Sequence, residues 1–202
     1  MADQIDRSGV RRHAALLPLM IDTVIKSVGV GLTQIDAVSY SKGPGSYTGL
    51  RVGLSTAKGL CLALNKPLIG ISTLLALSYA IEHLKDGDHC ITMIDAGRQE
   101  VYHGVYNHNH LLMSGESPFI INQENWDHHF GQFNSSIYLC GDGINKVKDL
   151  RIHNQNTVFV TEEVLARYMV KPALKKFLTL DFENLAYAVP EYLKAPSYKK
   201  IS

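Results

Sequence analysis

Residues Lys42 to Gly53 read Lys-Gly-Pro-Gly-Ser-Tyr-Thr-Gly-Leu-Arg-Val-Gly, and no other stretch restricts the fold as tightly. The apolar run Ile35–Tyr40 ahead of it reads as a short strand, and Ser41–Ser46 reads as a turn. From Tyr47 to about Leu64, the residues Leu50, Leu54, Ala57, Cys61 and Leu64 return on one helical face. A strand, a tight turn and a helix in that order gather backbone N–H groups and the positive end of a helix dipole at one spot, with Ser46 or Thr48 placed to cap. Gly43, Gly45, Ser46 and Thr48 are therefore a candidate anion-binding set. The stretch carries neither the Gly-Lys-Ser/Thr of a P-loop nor a G-x-G-x-x-G. A structural reading competes, in which the glycines serve only a tight turn.

The surrounding pattern alternates strand and helix. Ala14, Leu17, Ile21, Val24 and Val28 recur at spacings of three and four, which predicts a helix over Arg11–Val28 with Pro18 inside it and Gly29 and Gly31 closing it. Pro67 stops the second helix, Leu68–Ile71 reads as a strand, and Ser72 or Thr73 caps a further helix through Leu84. This alternation is the signature of an α/β layer with parallel strands. Lys85–Asp88 reads as a hinge dividing the chain at 1–86 and 87–202. Beyond it, His89–Ile94 and Glu100–Tyr106 form a hairpin around the Asp95–Arg98 turn, with a second turn at Asn107–Asn109. Ser117–Ile121 is expected as a third strand, Gln123–Phe130 as a helix and Ile137–Cys140 as a strand. Gly141-Asp142-Gly143 opens a further helix, and Phe182–Ala188 is expected as the last one, ended by Pro190.

Composition excludes several classes. Twenty Lys and Arg face nineteen Asp and Glu for a net charge of +1, so there is no basic footprint for a nucleic acid or an anionic membrane. Cys61, Cys90 and Cys140 are scattered in apolar stretches, which fits buried thiols and a reducing cytoplasm. The first thirteen residues lack the apolar core of a signal peptide, and no apolar run is long enough to span a membrane.

The helix after the turn carries Gly49, Gly53 and Ala57 four apart, with Gly59 nearby. Each helix-interior glycine costs about 1 kcal/mol relative to alanine, so something else must justify them. Close packing on the chain's own sheet is one explanation, and close approach of a partner's helix is the sharper one. The first helix favours the partner, because Leu16, Met20 and Ile25 widen its apolar stripe beyond one buried face. The expected interface comprises His13, Leu16, Leu17, Met20, Gly49, Arg51, Val52, Gly53 and Thr56.

The stretch Arg11–Ala76 resembles the TsaB (YeaZ) family. It does so through Arg12-His13, Leu17-Pro-Leu-Met20, Ile35-Asp-Ala37, Gly43-Pro-Gly-Ser-Tyr-Thr-Gly-Leu-Arg-Val-Gly53 and Leu68-Ile-Gly-Ile-Ser-Thr73. Ile94-Asp-Ala-Gly-Arg-Gln-Glu-Val-Tyr102, Gly141-Asp-Gly143 and Pro190-Glu-Tyr-Leu-Lys194 extend the likeness over nearly the whole chain. The resemblance implies an ASKHA (actin-like, sugar-kinase-like, RNase H-like) fold of two related lobes. It also implies a non-catalytic scaffold that serves N6-threonylcarbamoyladenosine formation beside the tRNA anticodon. Such a scaffold pairs with the catalytic paralogue TsaD, works with the TsaE ATPase, self-associates when alone and meets tRNA only indirectly. No cofactor is expected to bind tightly, with ATP or ADP entering only in the complex. Family members begin with a hairpin and a third strand that this sequence does not contain, so a first lobe short of those strands is expected.

Alternatives from other classes are an independent ASKHA-fold phosphotransferase, an M22-type peptidase, or a tRNA-binding module. TsaD carries a His-x-x-x-His metal motif, but here Leu17 stands four residues after His13. His108-x-His110 and His128-His129 read as turn histidines rather than ligands, and Trp126 with His128 and His129 as a local surface cluster. Asp95 and Glu100 are a candidate acid–base pair whose competing reading is a turn aspartate and a strand-end glutamate. Arg51 has an anion-binding reading beside the favoured interface one.

Overall fold

The computed structural model describes residues 13–152 and 156–194. Helix α1 (His13–Ser27) retains Pro18 within it, and a 3-10 turn at Leu32–Gln34 leads to strand β1 (Val38–Gly43). Helix α2 (Tyr47–Leu64) begins on the Ser46 hydroxyl, which accepts the Gly49 N–H, and ends on left-handed Asn65. Strand β2 (Leu68–Ser72) runs parallel to β1, Val38 opposite Leu68. The expected start of β1 at Ile35 is corrected to Val38. Its partner is preceded by Pro67, which has no N–H to offer and instead accepts from Val38 N.

Helix α3 covers only Thr73–Ser78 rather than reaching Leu84. The Ser78 hydroxyl bonds back to Leu75 O, Tyr79 stacks on His110 and Ile81 is buried. These contacts pull the chain off the helical path. The second sheet then forms from β3 (His89–Asp95), β4 (Glu100–Asn107), β5 (Leu112–Ile120), β6 (Ile137–Cys140) and β7 (Thr157–Val160) in the order β5-β4-β3-β6-β7. Strands β4 and β5 are antiparallel to their neighbours and β3, β6 and β7 are parallel. Strand β5 is longer than its Ser117–Ile121 expectation. As an edge strand it exposes Leu112 and Met113, so no alternating apolar pattern marks its first half. Helix α4 (Gln123–Phe130) stands where expected. The turn after Gly141 is a 3-10 helix over Asp142–Val147.

Helix α5 (Val170–Leu178) was not expected from the sequence. Pro172 lies in its first turn, where a missing N–H costs nothing. Conversely, Phe182–Ala188 is not a helix. Glu183 N bonds Leu68 O in an isolated antiparallel bridge, and the Asn184 carboxamide accepts the N–H groups of Ala186 and Tyr187 to form a turn.

The two sheets fall on either side of Gly87, but the chain crosses back. The packing surface of α5 meets β2 through Ala173 and Phe177 against Ile69 and Ile71, and Leu185 and Ala188 join Tyr40, Leu54, Ala57, Cys61 and Leu68 beneath α2. The second sheet buries Ile91, Met93, Val101, Leu139, Ile144 and Trp126 on one side. Leu74, Leu77, Cys90, Tyr106 and Cys140 pack on the other. Trp126 is thus core rather than part of a surface cluster, while His128 and His129 are exposed. The three cysteines are free and buried. Among the described residues no helix is long and apolar enough to cross a membrane.

Candidate functional site

Helices α1 and α2 build an open apolar surface. Helix α1 rests on α2 and on no other element to a comparable extent. None of its described side chains is buried: Leu16, Leu17, Met20, Ile21, Val24 and Ile25 are half-covered, and Leu19 is 63% exposed. Val28, Val30 and Leu32 continue the exposed apolar strip past its end. His13 opens the helix, but its side chain, like Arg11 and Arg12, lies outside the described residues.

Helix α2 turns Leu50, Leu54, Ala57 and Cys61 into the core. At 100° per residue, Gly49, Gly53 and Thr56 then share one flank, while Tyr47, Arg51 and Lys58 share the opposite one. A Cβ placed on Gly53 or Gly59 would meet no atom within 4 Å. Packing on the chain's own sheet therefore does not explain these two glycines. Val52 is half-buried between the flanks.

The structure separates Arg51 from the rest of the expected interface set. Its Nε donates to Tyr192 Oη at 3.2 Å, and its guanidinium sits 4.1 Å from the Tyr47 ring centroid. Tyr47 in turn stacks on Tyr192 with centroids 5.1 Å apart. On the same flank, Lys58 Nζ donates to Ala186 O. The segment Glu183–Lys194 thus straps the Arg51 flank of α2, and no local sequence signal marked it.

The glycine-rich turn is shaped by the same strap. Gly43 is buried at φ +121°, and a Cβ there would lie 2.5 Å from Glu191 O. Glu191 N donates to Lys42 O at 2.7 Å. The Lys42 ammonium meets Glu191 at 2.6 Å and Glu183 at 3.4 Å. Burial alone would lower the Lys42 pKa; the hydrogen bond and charge of Glu191, joined by Glu183, outweigh it and hold the pKa above its ordinary value. Of the candidate anion-binding set, Gly43 is therefore covered, while Gly45, Ser46 and Thr48 are exposed. The Ser46 hydroxyl is engaged with Gly49 N at 3.3 Å.

Asp95 and Glu100 each have a structural partner. Asp95 Oδ1 accepts from Gly97 N and from Lys146 Nζ, and Glu100 pairs with Lys194 at 2.5 Å. Partial burial opposes ionisation of Asp95, but Lys146 and the Gly97 N–H outweigh it and set the pKa below the usual carboxylate value. A permanently ionised carboxylate in an ion pair is a poor proton shuttle near neutral pH. His108 faces Asp86 at 3.3 Å in the turn it was expected to occupy, and His153 lies outside the described residues. Among the described residues no group of three or more His, Cys, Asp or Glu is placed to hold a metal ion.

Two α/β layers built this way define the ASKHA, actin-like class. The chain superimposes on YeaZ from Pseudomonas aeruginosa with a TM-score of 0.73 over 91% of this chain and 86% of that one, at 22% identity. It superimposes equally on an uncharacterized Pseudomonas aeruginosa protein similar to peptidase YeaZ, with TM-score 0.73 at 23% identity, covering 91% of this chain and 85% of that one. The family model for TsaD, tRNA N6-adenosine threonylcarbamoyltransferase, matches residues 7–198. Similar proteins include the tRNA threonylcarbamoyladenosine biosynthesis protein TsaB of Escherichia coli K12, 29% identical over 189 residues, covering 91% of this chain and 81% of that protein. TsaB of Buchnera aphidicola subsp. Schizaphis graminum is 30% identical over 140 residues, 68% of this chain and 67% of that protein. TsaB of Haemophilus influenzae is 39% identical over 98 residues, where the match spans 48% of this chain and 42% of that protein. The chain belongs to this family, with the TsaB (YeaZ) proteins among its members.

Proposed function

We propose that the chain is a non-catalytic subunit in the biosynthesis of threonylcarbamoyladenosine in tRNA, and that it works by docking α1 and the Gly49–Gly53–Thr56 flank of α2 on the catalytic paralogue TsaD. The names of the TsaB relatives support the pathway. The observation that carries the docking is α1 itself. Its 15 residues bury no described side chain, and it lies beside a helix whose Gly53 faces open space. A soluble chain gains little by keeping such a surface uncovered. A net charge of +1 supports an indirect route to tRNA, with the nucleic acid gripped elsewhere in an assembly that includes the TsaE ATPase. In the absence of TsaD, the same face is available to a second copy of the chain.

Light scattering after size exclusion tests this with the chain alone, the chain mixed with TsaD, and Gly53→Trp in both settings. A Cβ at Gly53 would meet nothing within 4 Å, so the substitution is expected to leave the fold intact, and circular dichroism checks this. The expected result is a stoichiometric complex that forms with the unmodified chain and is lost with Gly53→Trp. No complex with the unmodified chain, or one indifferent to Gly53→Trp, overturns the reading.

A further inference from the structure

A second uncovered apolar face lies on the other side of the β1–β2 layer from α2. Strand β2 alternates: Leu68 turns toward the core beneath α2, while Ile69 and Ile71 turn toward Ala173 and Phe177 of α5. With those two residues packed inward, a step of 100° per residue sets Leu174 and Leu178 on one flank of α5 and turns Lys171 and Lys175 away from the sheet. Val170, Leu174 and Leu178 recur every four residues and stand between half and three-quarters exposed. The face continues off the helix. Lys175 Nζ donates to Tyr79 Oη, the Tyr79 ring stacks on His110, and the next residue, Leu111 in the β4–β5 turn, is exposed.

The charge beside this apolar stripe is of one sign. Helix α5 reads Val-Lys-Pro-Ala-Leu-Lys-Lys-Phe-Leu and contains no acid. Lys176 is paired with Asp181 at 3.1 Å. Lys171 and Lys175 have no ion pair among the described residues, and Lys175 rests on the neutral Tyr79 through its hydroxyl and its ring face.

Whatever covers such a face must answer both features. A second copy of the chain brings the same lysines to it, and across a two-fold axis they meet like against like, which is repulsive. An anionic membrane gains about 1 kcal/mol from each of two free lysines. Nine residues of α5, about 14 Å of helix, give it little more to hold a chain of net charge +1. A partner helix with leucine-like side chains on one face and carboxylates beside them satisfies both: its anchors pack on the stripe and its carboxylates meet the lysines.

We infer that the α5 face is a docking surface for an acidic amphipathic helix of a further protein, separate from the partner that α1 and α2 serve. The two faces lie on opposite sides of one layer, so the inference stands apart from the TsaD reading.

Fluorescence anisotropy with the full chain tests it. The probe is a designed helical peptide with leucines at i, i+3, i+4 and i+7 and glutamates beside them, and a control peptide has lysines in place of the glutamates. The glutamate peptide is expected to bind at about 10–100 µM, and the lysine peptide at least about tenfold more weakly. Lys171→Glu combined with Lys175→Glu is expected to reverse that order. Leu174→Ser is expected to weaken the glutamate peptide about tenfold. All three positions are exposed, and circular dichroism checks the fold of each variant. Gly53→Trp is expected to leave peptide binding unchanged, so this inference and the TsaD docking fail separately. No binding of the glutamate peptide up to about 1 mM, or equal binding of the two peptides, overturns the inference. Tighter binding to phosphatidylserine vesicles that is lost in Lys171→Glu makes the face a lipid surface and overturns it. So does a dimer that survives Gly53→Trp but not Leu174→Ser, which makes the face a self-contact.

Discussion

At the scale of single residues, the region beneath α2 is decided by a few polar groups. Tyr40 is 4% exposed, and its hydroxyl is the buried side-chain oxygen left without a hydrogen-bond partner among the described residues. Burial, with the charge of Glu183, pushes its pKa up to about 12, so it stays neutral throughout the working range. Removing an unpaired buried hydroxyl while keeping the ring is neutral or favourable. Tyr40→Phe is expected to raise the urea midpoint, by about 1 kcal/mol of stability. A loss of stability would mean that the hydroxyl has a solvent or ligand partner. Gly43 is a residue whose type was read correctly for an incomplete reason. The sequence marks a turn glycine, but the close approach of Glu191 O from the far end of the chain is what excludes a side chain there.

At the scale of elements, α2 was the most legible part of the chain. Its bounds stand where periodicity puts them, Ser46 rather than Thr48 is the cap, and Leu50, Leu54, Ala57 and Cys61 of the expected face are buried while Leu64, in the last turn, is half-buried. Long, strongly periodic segments are specified locally, so they survive tertiary context. Helix α3 and the Phe182–Ala188 turn were misread because their ends are set by distant partners, His110 and Leu68 respectively. The glycines of α2 lead to a separate expectation. Because a Cβ at Gly59 meets nothing within 4 Å, Gly59→Ala recovers helix propensity without a clash. Thermal unfolding of the isolated chain is expected to show about 0.5–1 kcal/mol of added stability. A destabilised variant would show that the site is packed in solution.

At the scale of the whole molecule, polar contacts join the two sheets where the β4–β5 hairpin reaches α3 and α5. Glu116 accepts from the Ser72 and Tyr106 hydroxyls, each at 2.5 Å. His110 stacks on Tyr79 with centroids 3.9 Å apart and meets the Ser78 hydroxyl at 3.1 Å, while Lys175 Nζ donates to Tyr79 Oη at 3.1 Å. Burial first, then the charges of Lys175 and Lys171, lower the His110 pKa from an ordinary 6.5 to about 4. The unfolded chain therefore takes up a proton between about pH 6.5 and 4 that the folded chain refuses. The stability from this residue is complete above pH 6.5 and declines as pH falls toward 4. His89 and His103, both with pKa lowered first by burial, act in the same direction. Urea midpoints measured from pH 7 to pH 4 are expected to fall less steeply in His110→Asn, which suits the left-handed φ of +57°. An unchanged slope would place the pH dependence on the other histidines.

By itself the sequence determined the α/β class, the strand–turn–helix at Lys42–Gly53, the β3–β4 hairpin and the burial of all three cysteines. Each of these rests on neighbours within a turn or two of chain, where periodicity, capping and turn chemistry act. Only the tertiary structure decided that Glu183–Lys194 straps α2, that Arg51 faces that strap rather than the Gly53 flank, and that the Arg98 turn meets the Gly45–Tyr47 turn across a cleft. These contacts join residues as far as 141 positions apart in the chain, as Arg51 and Tyr192 are. The strap contacts arise where the C-terminal segment returns across α2, and neither partner's local sequence encodes the other's position.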